Sequence, residues 1–342
     1  MALHPIFKLR EYATEEVVSL LDSVVLGTNG AHYKHLDTEE KITQADNPLF
    51  LSMERNNNVL GNISFCRRGG FWYIRYFAFT TLIQSAGKTK SKSGKHGLLK
   101  HELSQFFDDV FQGEYGDSPD SFYAYIDPKN EKSLWMSENF GFETIAQIAT
   151  QTFSRVNPKL KVPIQKITSW NEVKWFVNKK FGDQEFYFED QVKQAPYYIW
   201  KDDNNEVLGF AKISTAKWEI KRFPGKMGGV LTKLIPFIPR LNRIIRPKNH
   251  TFLVPEAVFV KDPTKLGDFF ETILHEENKN LMIWWVDKTE SQYVVSKDLT
   301  YWGLLDRIIG ESSANVVVKR SPQMAKKLIE RNSVYTSGFD FI

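Results

Sequence analysis

The segment from Ile126 to Phe142 constrains the fold more than any other part of the sequence. It reads I-D-P-K-N-E-K-S-L-W-M-S-E-N-F-G-F and follows an apolar and aromatic run that begins at Phe122. The Asp-Pro pair interrupts that predicted strand. Asn130 is typical of a helix start, and Gly141 is typical of a helix end. The segment therefore predicts a strand, a short helix and a second strand in immediate succession.

The sequence on either side predicts further elements, in the order β-α-α-β-β-β-α-β-α-β from Pro5 to Arg155. An Asn-rich turn between two apolar runs predicts a β-hairpin. The residues from Ala31 to Ala45 are polar and predict a short helix with loops. The other predicted elements are a strand at Ile6–Tyr12, a helix capped by Thr14, the hairpin strands Leu49–Glu54 and Val59–Arg67, a strand at Phe71–Thr81, a helix at Gly97–Phe111 and a strand at Ala146–Arg155.

This order, together with one motif, resembles the GNAT acyltransferases (the GCN5-related N-acetyltransferases). Their last motif is N-x-x-[AS]-x-x-x-Y-x-x-x-G-F, and Asn130, Ser133, Gly141 and Phe142 lie at the matching positions. Ser137 stands where the family has tyrosine. The resemblance covers roughly Pro5 to Arg155. It implies an α+β fold in which a mixed, mostly antiparallel sheet is flanked by helices.

The second half of the chain repeats this pattern weakly. Val59-Leu60-Gly61 and Val207-Leu208-Gly209 both follow an Asn-rich turn, which indicates an internal repeat. The sequence therefore predicts two tandem GNAT-like domains, 1–157 and 164–342, joined by a Pro-containing linker at 158–163. The second copy is diverged. It is predicted to carry a basic insertion at Ala216–His250 and a terminal helix at Met324–Arg331.

The resemblance implies that the first domain binds acetyl-CoA as acyl donor. The pantetheine would run beside the strand Phe71–Thr81, and a basic loop before the next helix would bind the phosphates through backbone N–H groups. The alternatives are a plain central strand and a solvated basic loop. In the second half, the stretch after the fourth strand reads K-D-P-T-K-L-G-D-F-F and has no Gly-rich loop and no basic cluster, so this copy is predicted not to bind coenzyme A. The candidate cofactor-binding residues are Phe77, Ala78, Phe79, Lys92, Gly94, Lys95, His96, Gly97 and Asn130.

Acyl transfer to an amine needs a group that removes a proton from the amine and an acid for the departing thiolate. Ser137, at the family's tyrosine position, and Tyr125, on the preceding strand, are the candidate acids. Glu54 is the candidate base, and His32 and His35 are alternatives. Water is a further alternative for either role. The sequence contains no Ser-His-Asp arrangement and no metal-binding motif.

Composition restricts the class of protein. The chain has 342 residues, which favours two domains, and a net charge of +4, which is too small to indicate nucleic acid as a partner. The single Cys66 excludes an internal disulfide framework and is typical of a reducing compartment. The apolar runs are shorter than the ~20 residues of a membrane span, and Met1–Arg10 lacks a signal-peptide core. We therefore expect a soluble cytoplasmic protein.

The favoured function is acyl-CoA-dependent N-acyl transfer, with acetyl as the acyl group and a small-molecule or peptide amine as acceptor. One alternative is a non-catalytic coenzyme A-binding or scaffolding protein. Another is a peripheral membrane protein that binds through the insertion Ala216–His250, which contains nine Lys and Arg residues and one acidic residue. Against that alternative, the insertion can also be a flap that packs on its own domain with a solvated basic edge.

Overall fold

One continuous sheet organises the whole molecule. The computed structural model describes residues 4–27, 31–56, 58–80, 95–194, 196–324 and 333–341. Within these residues, strands are hydrogen-bonded in the order β1-β3-β4-β5-β6-β13-β7-β12-β11-β10-β9-β8, and β2 pairs with the far part of β10.

The first half of the chain supplies seven of these strands. Its elements are β1 (Phe7–Arg10), α1 (Glu15–Asp22), β2 (His32–His35), α2 (Thr38–Thr43), β3 (Pro48–Arg55), β4 (Asn58–Arg68), β5 (Phe71–Phe79), α3 (Lys95–Phe111), β6 (Ser121–Ile126), α4 (Glu131–Asn139) and β7 (Glu143–Ser154).

The second half follows a similar order, with three additional helices among the described residues and no strand that corresponds to β2. Its elements are β8 (Ile164–Ile167), α5 (Trp170–Phe181), α6 (Glu189–Val192), β9 (Tyr197–Lys201), β10 (Val207–Arg222), α7 (Gly228–Leu234), α8 (Pro239–Ile244), β11 (His250–Val260), α9 (Leu266–Glu276), β12 (Leu281–Asp287), α10 (Ser291–Leu299), α11 (Leu304–Ile309) and β13 (Ser312–Arg320). Short 3-10 turns lie at Ile235–Phe237, Pro263–Lys265 and Gly338–Phe341.

The two halves exchange their last strands. β7, from the first half, pairs antiparallel with β12 of the second half over Ile148–Ser154. β13, from the second half, pairs antiparallel with β6 of the first half over Asn315–Arg320. β7 and β13 also pair with each other at the centre of the sheet. Each half therefore completes the sheet of the other, and the domain boundary at 158–163 stays a prediction.

Helices α3 and α9 cover corresponding places in the two halves, and they share an unexpected sequence pattern. The pattern is L-x-x-F-F-acid-x-[VI], starting at Leu103 and at Leu266. Its apolar positions recur with helical spacing, so they form one face that packs on the sheet. All eight side chains are at most 2% exposed: Leu103, Phe106, Phe107, Val110, Leu266, Phe269, Phe270 and Ile273. This second internal repeat marks the same helix in both copies.

Two sequence predictions need correction. The polar stretch before Ala45 contains a strand, β2, which pairs with β10 of the other half through Tyr33↔Ile220 and His35↔Trp218. β10 extends to Arg222 because β2 and β11 both pair with it, so the first residues predicted as insertion are strand. The insertion in the structure comprises residues 223–249. The predicted terminal helix Met324–Arg331 lies almost entirely outside the described residues.

The C-terminal segment, residues 333–341, crosses the sheet on the face opposite α3 and α9. Its Asp340 forms an ion pair of 2.7 Å with Arg68 of β4, and both side chains are 2% exposed. The Tyr73 hydroxyl donates to the carbonyl oxygen of Asp340 over 2.7 Å. Because two charges are buried together here, each depends on the other for compensation.

We expect Arg68→Met to lower the free energy of unfolding by about 3–5 kcal/mol, because it leaves the Asp340 carboxylate buried without its partner. Urea denaturation would measure the change. The neighbouring Arg67 pairs with Glu11, whose side chain is 73% exposed, so Arg67→Met is the matched control. In Arg67→Met the free energy of unfolding should fall by less than about 1 kcal/mol. Equal losses in the two variants would contradict a special role for the buried pair.

A second charge cluster holds the start of β13. The Glu311 carboxylate contacts Lys288 at 2.9 Å and Lys297 at 2.6 Å, and the Tyr293 hydroxyl donates to it over 2.7 Å. Burial alone would raise the pKa of Glu311, but these hydrogen bonds outweigh it and lower the pKa from 4.5 to about 2.

The lowered pKa of Glu311 predicts a specific loss of stability in acid. The contribution is complete above pH 4.5 and is lost as the pH falls from 4.5 through about 2, because the folded state must then protonate a bonded carboxylate. Glu311→Gln should therefore flatten the dependence of thermal unfolding on pH in this window. Glu206→Gln, which removes an exposed pair with Lys261, is the control. If the unfolding temperature of Glu311→Gln depends on pH as steeply as that of the unsubstituted protein, the loss of stability in acid does not come from Glu311.

Candidate functional site

A gap opens between β5 and β6 in the first half. The two strands pair in parallel only over Phe71–Tyr73 and Ser121–Tyr123, and beyond these residues they separate. A β-bulge at Arg75 marks the place, because Phe65 pairs with Ile74 and Ser64 with Tyr76. Bulges bend a strand and increase its twist, which accounts for the separation. The gap exposes a backbone edge inside the sheet.

The predicted cofactor strand forms one side of this gap. The Thr80 N–H donates to the Leu60 carbonyl oxygen of β4 over 2.9 Å. Backbone groups alternate between the two sides of a strand, so those of Ala78 also face β4 and those of Phe77 face the gap. The Phe77 ring is 37% exposed and packs on Phe79, whereas Ala78 is buried. Phe77 is therefore the best placed of the three for a ligand in the gap.

Four of the other predicted cofactor residues lie at helix starts. The backbone of Lys95, His96 and Gly97 belongs to the first turn of α3. Lys92 and Gly94 lie outside the described residues. Asn130 is the N-cap of α4, and its side-chain oxygen accepts from the Ser133 N–H over 3.1 Å.

Ser137, one candidate acid, is part of the structure that ends α4. Its hydroxyl donates to the Leu134 carbonyl oxygen over 2.8 Å. Its own carbonyl oxygen accepts from the Phe142 N–H, and Gly141 has a φ of 82°, as in a Schellman motif. The G-F exit therefore closes the helix as the sequence predicted. The Ser137 hydroxyl is bonded within its own helix and does not face the gap as a free donor.

Tyr125, the other candidate acid, lies on β6 where the gap begins. Its ring packs against Tyr73 and against Phe341 of the C-terminal segment, with ring centroids 5.7 and 4.5 Å apart. Its hydroxyl is buried without a hydrogen-bond partner among the described residues. Burial, and next the negative charge of Asp340, hold the pKa of Tyr125 well above 10. The hydroxyl therefore stays protonated and can donate.

Of the three candidate bases, Glu54 and His35 are poorly suited to their predicted role. Glu54 accepts two hydrogen bonds from the Arg10 guanidinium, and this lowers the pKa of Glu54. His35 is buried in a stack with Trp218, and burial lowers its pKa to about 3. Cys66 is buried, and burial raises the pKa of its thiol. A low pKa makes a weak base, and a high thiol pKa makes a poor nucleophile.

Tyr33 and Asp127 were not among the candidate residues. Tyr33 lies on β2, and its pKa is raised first by burial and next by the negative charge of Asp127. Asp127 follows the end of β6 and accepts the Lys129 N–H over 2.8 Å. No sequence signal could have joined them, because β2 reaches this place only by pairing with β10 of the second half.

The second half has the same gap. β11 and β12 pair in parallel only at Leu253 and Met282, and a bulge next to Ala257, whose φ is 49°, corresponds to that at Arg75. Asp287 ends β12 as Asp127 ends β6, and it accepts the Thr289 N–H over the same 2.8 Å. The gap is thus built twice.

The C-terminal segment bridges the second gap. The Val334 N–H donates to Asp287 Oδ2 over 2.8 Å, and the Gly338 N–H donates to the Glu256 carboxylate of β11. Farther on, the Asp340 carboxylate and carbonyl bind Arg68 and Tyr73, on β4 and β5. The segment therefore ties together the two strands that flank the second gap. Sequence motifs could not have identified this segment, because it carries none that is typical of catalysis.

A polar cavity of about 100 Å³ lies beside the C-terminal segment. It exceeds several-fold the ~10–15 Å³ that one water needs. The exposed Gln44 and Gln194 are at its margin, and the buried Lys41 and Lys212 are inside. Phe339 contributes to the wall, and its carbonyl oxygen accepts from Arg75 at the β5 bulge over 2.8 Å. The remaining lining residues are Asp46, Gln191 and Ser214.

The described residues contain no group of three or more His, Cys, Asp or Glu side chains placed to hold a metal ion. No helix within these ranges is long and apolar enough to cross a membrane.

No family model and no curated protein sequence matches this chain. Solved structures do match. An N-myristoyltransferase from Saccharomyces cerevisiae with bound myristoyl-CoA has a TM-score of 0.52 at 10% identity, over 94% of this chain and 80% of that one. A putative acetyltransferase from Pyrococcus horikoshii has a TM-score of 0.51 at 11% identity, over 99% and 97%. A GCN5-related N-acetyltransferase from Sphaerobacter thermophilus has a TM-score of 0.50 at 12% identity, over 98% and 99%.

These likenesses span both halves of the chain, and they agree with the repeated gaps, bulges and covering helices. At such low identity they concern the fold alone. The α+β fold expected from the motif is confirmed: the chain has the GNAT fold, in two tandem copies.

Proposed function

We propose that the protein is an acyl-CoA-dependent N-acyltransferase, with acetyl as the acyl group and its active site in the first half. One observation carries the proposal: the gap between β5 and β6 stands beside a Tyr125 hydroxyl that has no hydrogen-bond partner among the described residues, whereas the C-terminal segment hydrogen-bonds to both strands of the equivalent second gap. The neighbouring folds include proteins described as acetyl- and myristoyl-transferases, which is consistent with this role.

The residues of the gap fit an acyl-CoA. The backbone edge at Phe77 can hydrogen-bond an extended amide chain as a neighbouring strand would. The first turn of α3, from Lys95, presents N–H groups that lack partners within the helix and suit phosphates. Bound acyl-CoA would supply the activated thioester carbonyl.

The chain's own part in the reaction is to hold protons in place. The acceptor amine must be neutral when it attacks the carbonyl carbon, so that a C–N bond forms as the C–S bond breaks. The Tyr125 hydroxyl would donate a proton to the departing sulfur. The amine proton would leave through water, because Glu54 and His35 are weak bases here.

The acceptor is proposed to be a small-molecule or peptide amine with polar groups. The cavity beside Phe339 supports this, since Lys41, Lys212 and three glutamines line it and the bulge at Arg75 adjoins it through Phe339. We also propose a cytoplasmic location, in keeping with the single, buried Cys66.

We expect Tyr125→Phe to lower kcat for acyl transfer about 100-fold, because the departing thiolate loses its acid. The dissociation constant for acetyl-CoA, measured by isothermal titration, should not change. Release of free coenzyme A with a panel of amines would report kcat. Ser137→Ala discriminates between the two candidate acids. If kcat falls in Ser137→Ala and is unchanged in Tyr125→Phe, the acid is Ser137.

The same measurements separate the rival functions. Absence of heat on titration with acetyl-CoA would exclude both the transferase and a coenzyme A-binding protein. Binding without release of coenzyme A, across the whole panel of amines, would favour the non-catalytic alternative.

A further inference from the structure

The insertion, residues 223–249, presents an apolar face to solvent. Exposure is greatest at Phe237, at 81%, and at Met227, at 68%. Val230, Leu234 and Ile238 are 49%, 50% and 39% exposed. Met227, Val230 and Leu234 follow helical spacing along α7, and the Pro-flanked turn at Ile235–Phe237 places Phe237 next to them in the chain. Large apolar side chains concentrated in one short segment of surface mark an interaction site.

The exposure does not come from a poorly packed flap. The opposite face of the same insertion is anchored in the central core by Phe223, Ile235, Ile244 and Ile245, which are 2–5% exposed. The expectation of a flap packed on its own domain therefore holds for one face only. Because this packing fixes the orientation of the insertion, Met227, Leu234 and Phe237 stay exposed to solvent.

The charged residues of the insertion are all basic. Between residues 223 and 249 it contains six basic residues and no acidic one; the basic residues are Lys226, Lys233, Arg240, Arg243, Arg246 and Lys248. None of the six forms an ion pair with a carboxylate in the described part of the chain. Arg243 donates to the Asn157 side-chain oxygen over 2.6 Å, which leaves its charge without compensation. Cations that no carboxylate of the described residues compensates, beside an exposed apolar face, complement a surface that is negatively charged and has an apolar layer just beneath.

We propose that the insertion docks the protein on an anionic membrane surface. Met227, Leu234 and Phe237 would enter the boundary between headgroups and acyl chains, and the basic residues would contact anionic headgroups. A protein groove is a poorer fit, since α7 and α8 are short and Pro236 and Pro239 prevent one continuous helix that a groove could hold. Docking is independent of acyl transfer.

Co-sedimentation with phosphatidylcholine vesicles, with and without phosphatidylserine, tests the proposal on the full chain. We expect binding to the vesicles that contain phosphatidylserine, and a loss of binding at high salt. The double variant Leu234→Ser with Phe237→Ser should lower the partition coefficient at least about tenfold, because the inserted apolar area is removed. The double variant Lys226→Gln with Lys233→Gln should weaken binding to vesicles that contain phosphatidylserine and should not change binding to vesicles of phosphatidylcholine alone.

Trp175→Ser is the matched control. Trp175 is 62% exposed on α5, outside the insertion, so its removal should leave vesicle binding unchanged. All these side chains are exposed, and equal thermal unfolding temperatures would show that the variants fold. No binding to vesicles with phosphatidylserine, or equal binding by the Leu234 and Phe237 double variant, would overturn the proposal. Self-association abolished by the same double variant, without vesicle binding, would instead assign the face to contact between copies of this chain.

Discussion

The central antiparallel pair of β7 and β13 is the constraint on which the rest of the structure depends. Each strand belongs to one half by chain order and to the sheet of the other half by hydrogen bonding. Neither half can satisfy the backbone groups of its own last strand alone, and unpaired buried backbone groups are costly. The two copies therefore form one sheet.

This exchange also fixes where the two gaps lie. Each gap opens where two strands of one copy separate, β5 from β6 and β11 from β12, beside a strand that the other copy contributes. The geometry is nearly the same in both, down to the Asp127 and Asp287 turns. What distinguishes the gaps is the C-terminal segment: it hydrogen-bonds to both strands of the second gap, whereas at the first gap it hydrogen-bonds to β5 and meets β6 through the ring contact of Phe341 with Tyr125. Strand geometry alone would assign the same role to both halves, so the proposed assignment of function to the first half depends on that segment.

Buried charge holds the C-terminal segment in place. Arg68 pairs with Asp340, and Glu256 accepts the Gly338 N–H while it pairs with Lys212. Such pairs add little net stability relative to apolar packing, but removal of one partner strongly lowers the free energy of unfolding. They therefore favour a single path for the chain. That path carries Phe339 to the polar cavity and Phe341 to Tyr125. The polar cavity and the surroundings of Tyr125 are thus shaped by the last described residues of the second half.

The sequence by itself determined the fold and its duplication. The helix cap at Asn130 and the glycine at the helix end allow the strand-helix-strand segment up to Phe142 to be recognised from the sequence. Helical spacing of apolar residues likewise reveals the L-x-x-F-F repeat of α3 and α9. Such signals are short-range, since they arise within a few turns of chain. The strand β2, the two-faced insertion, the engaged Ser137 hydroxyl and the path of residues 333–341 were decided only by tertiary structure. Each depends on contacts between residues far apart in the chain, such as Tyr33 with Ile220 and Arg68 with Asp340, and no local pattern encodes which distant partner will be met.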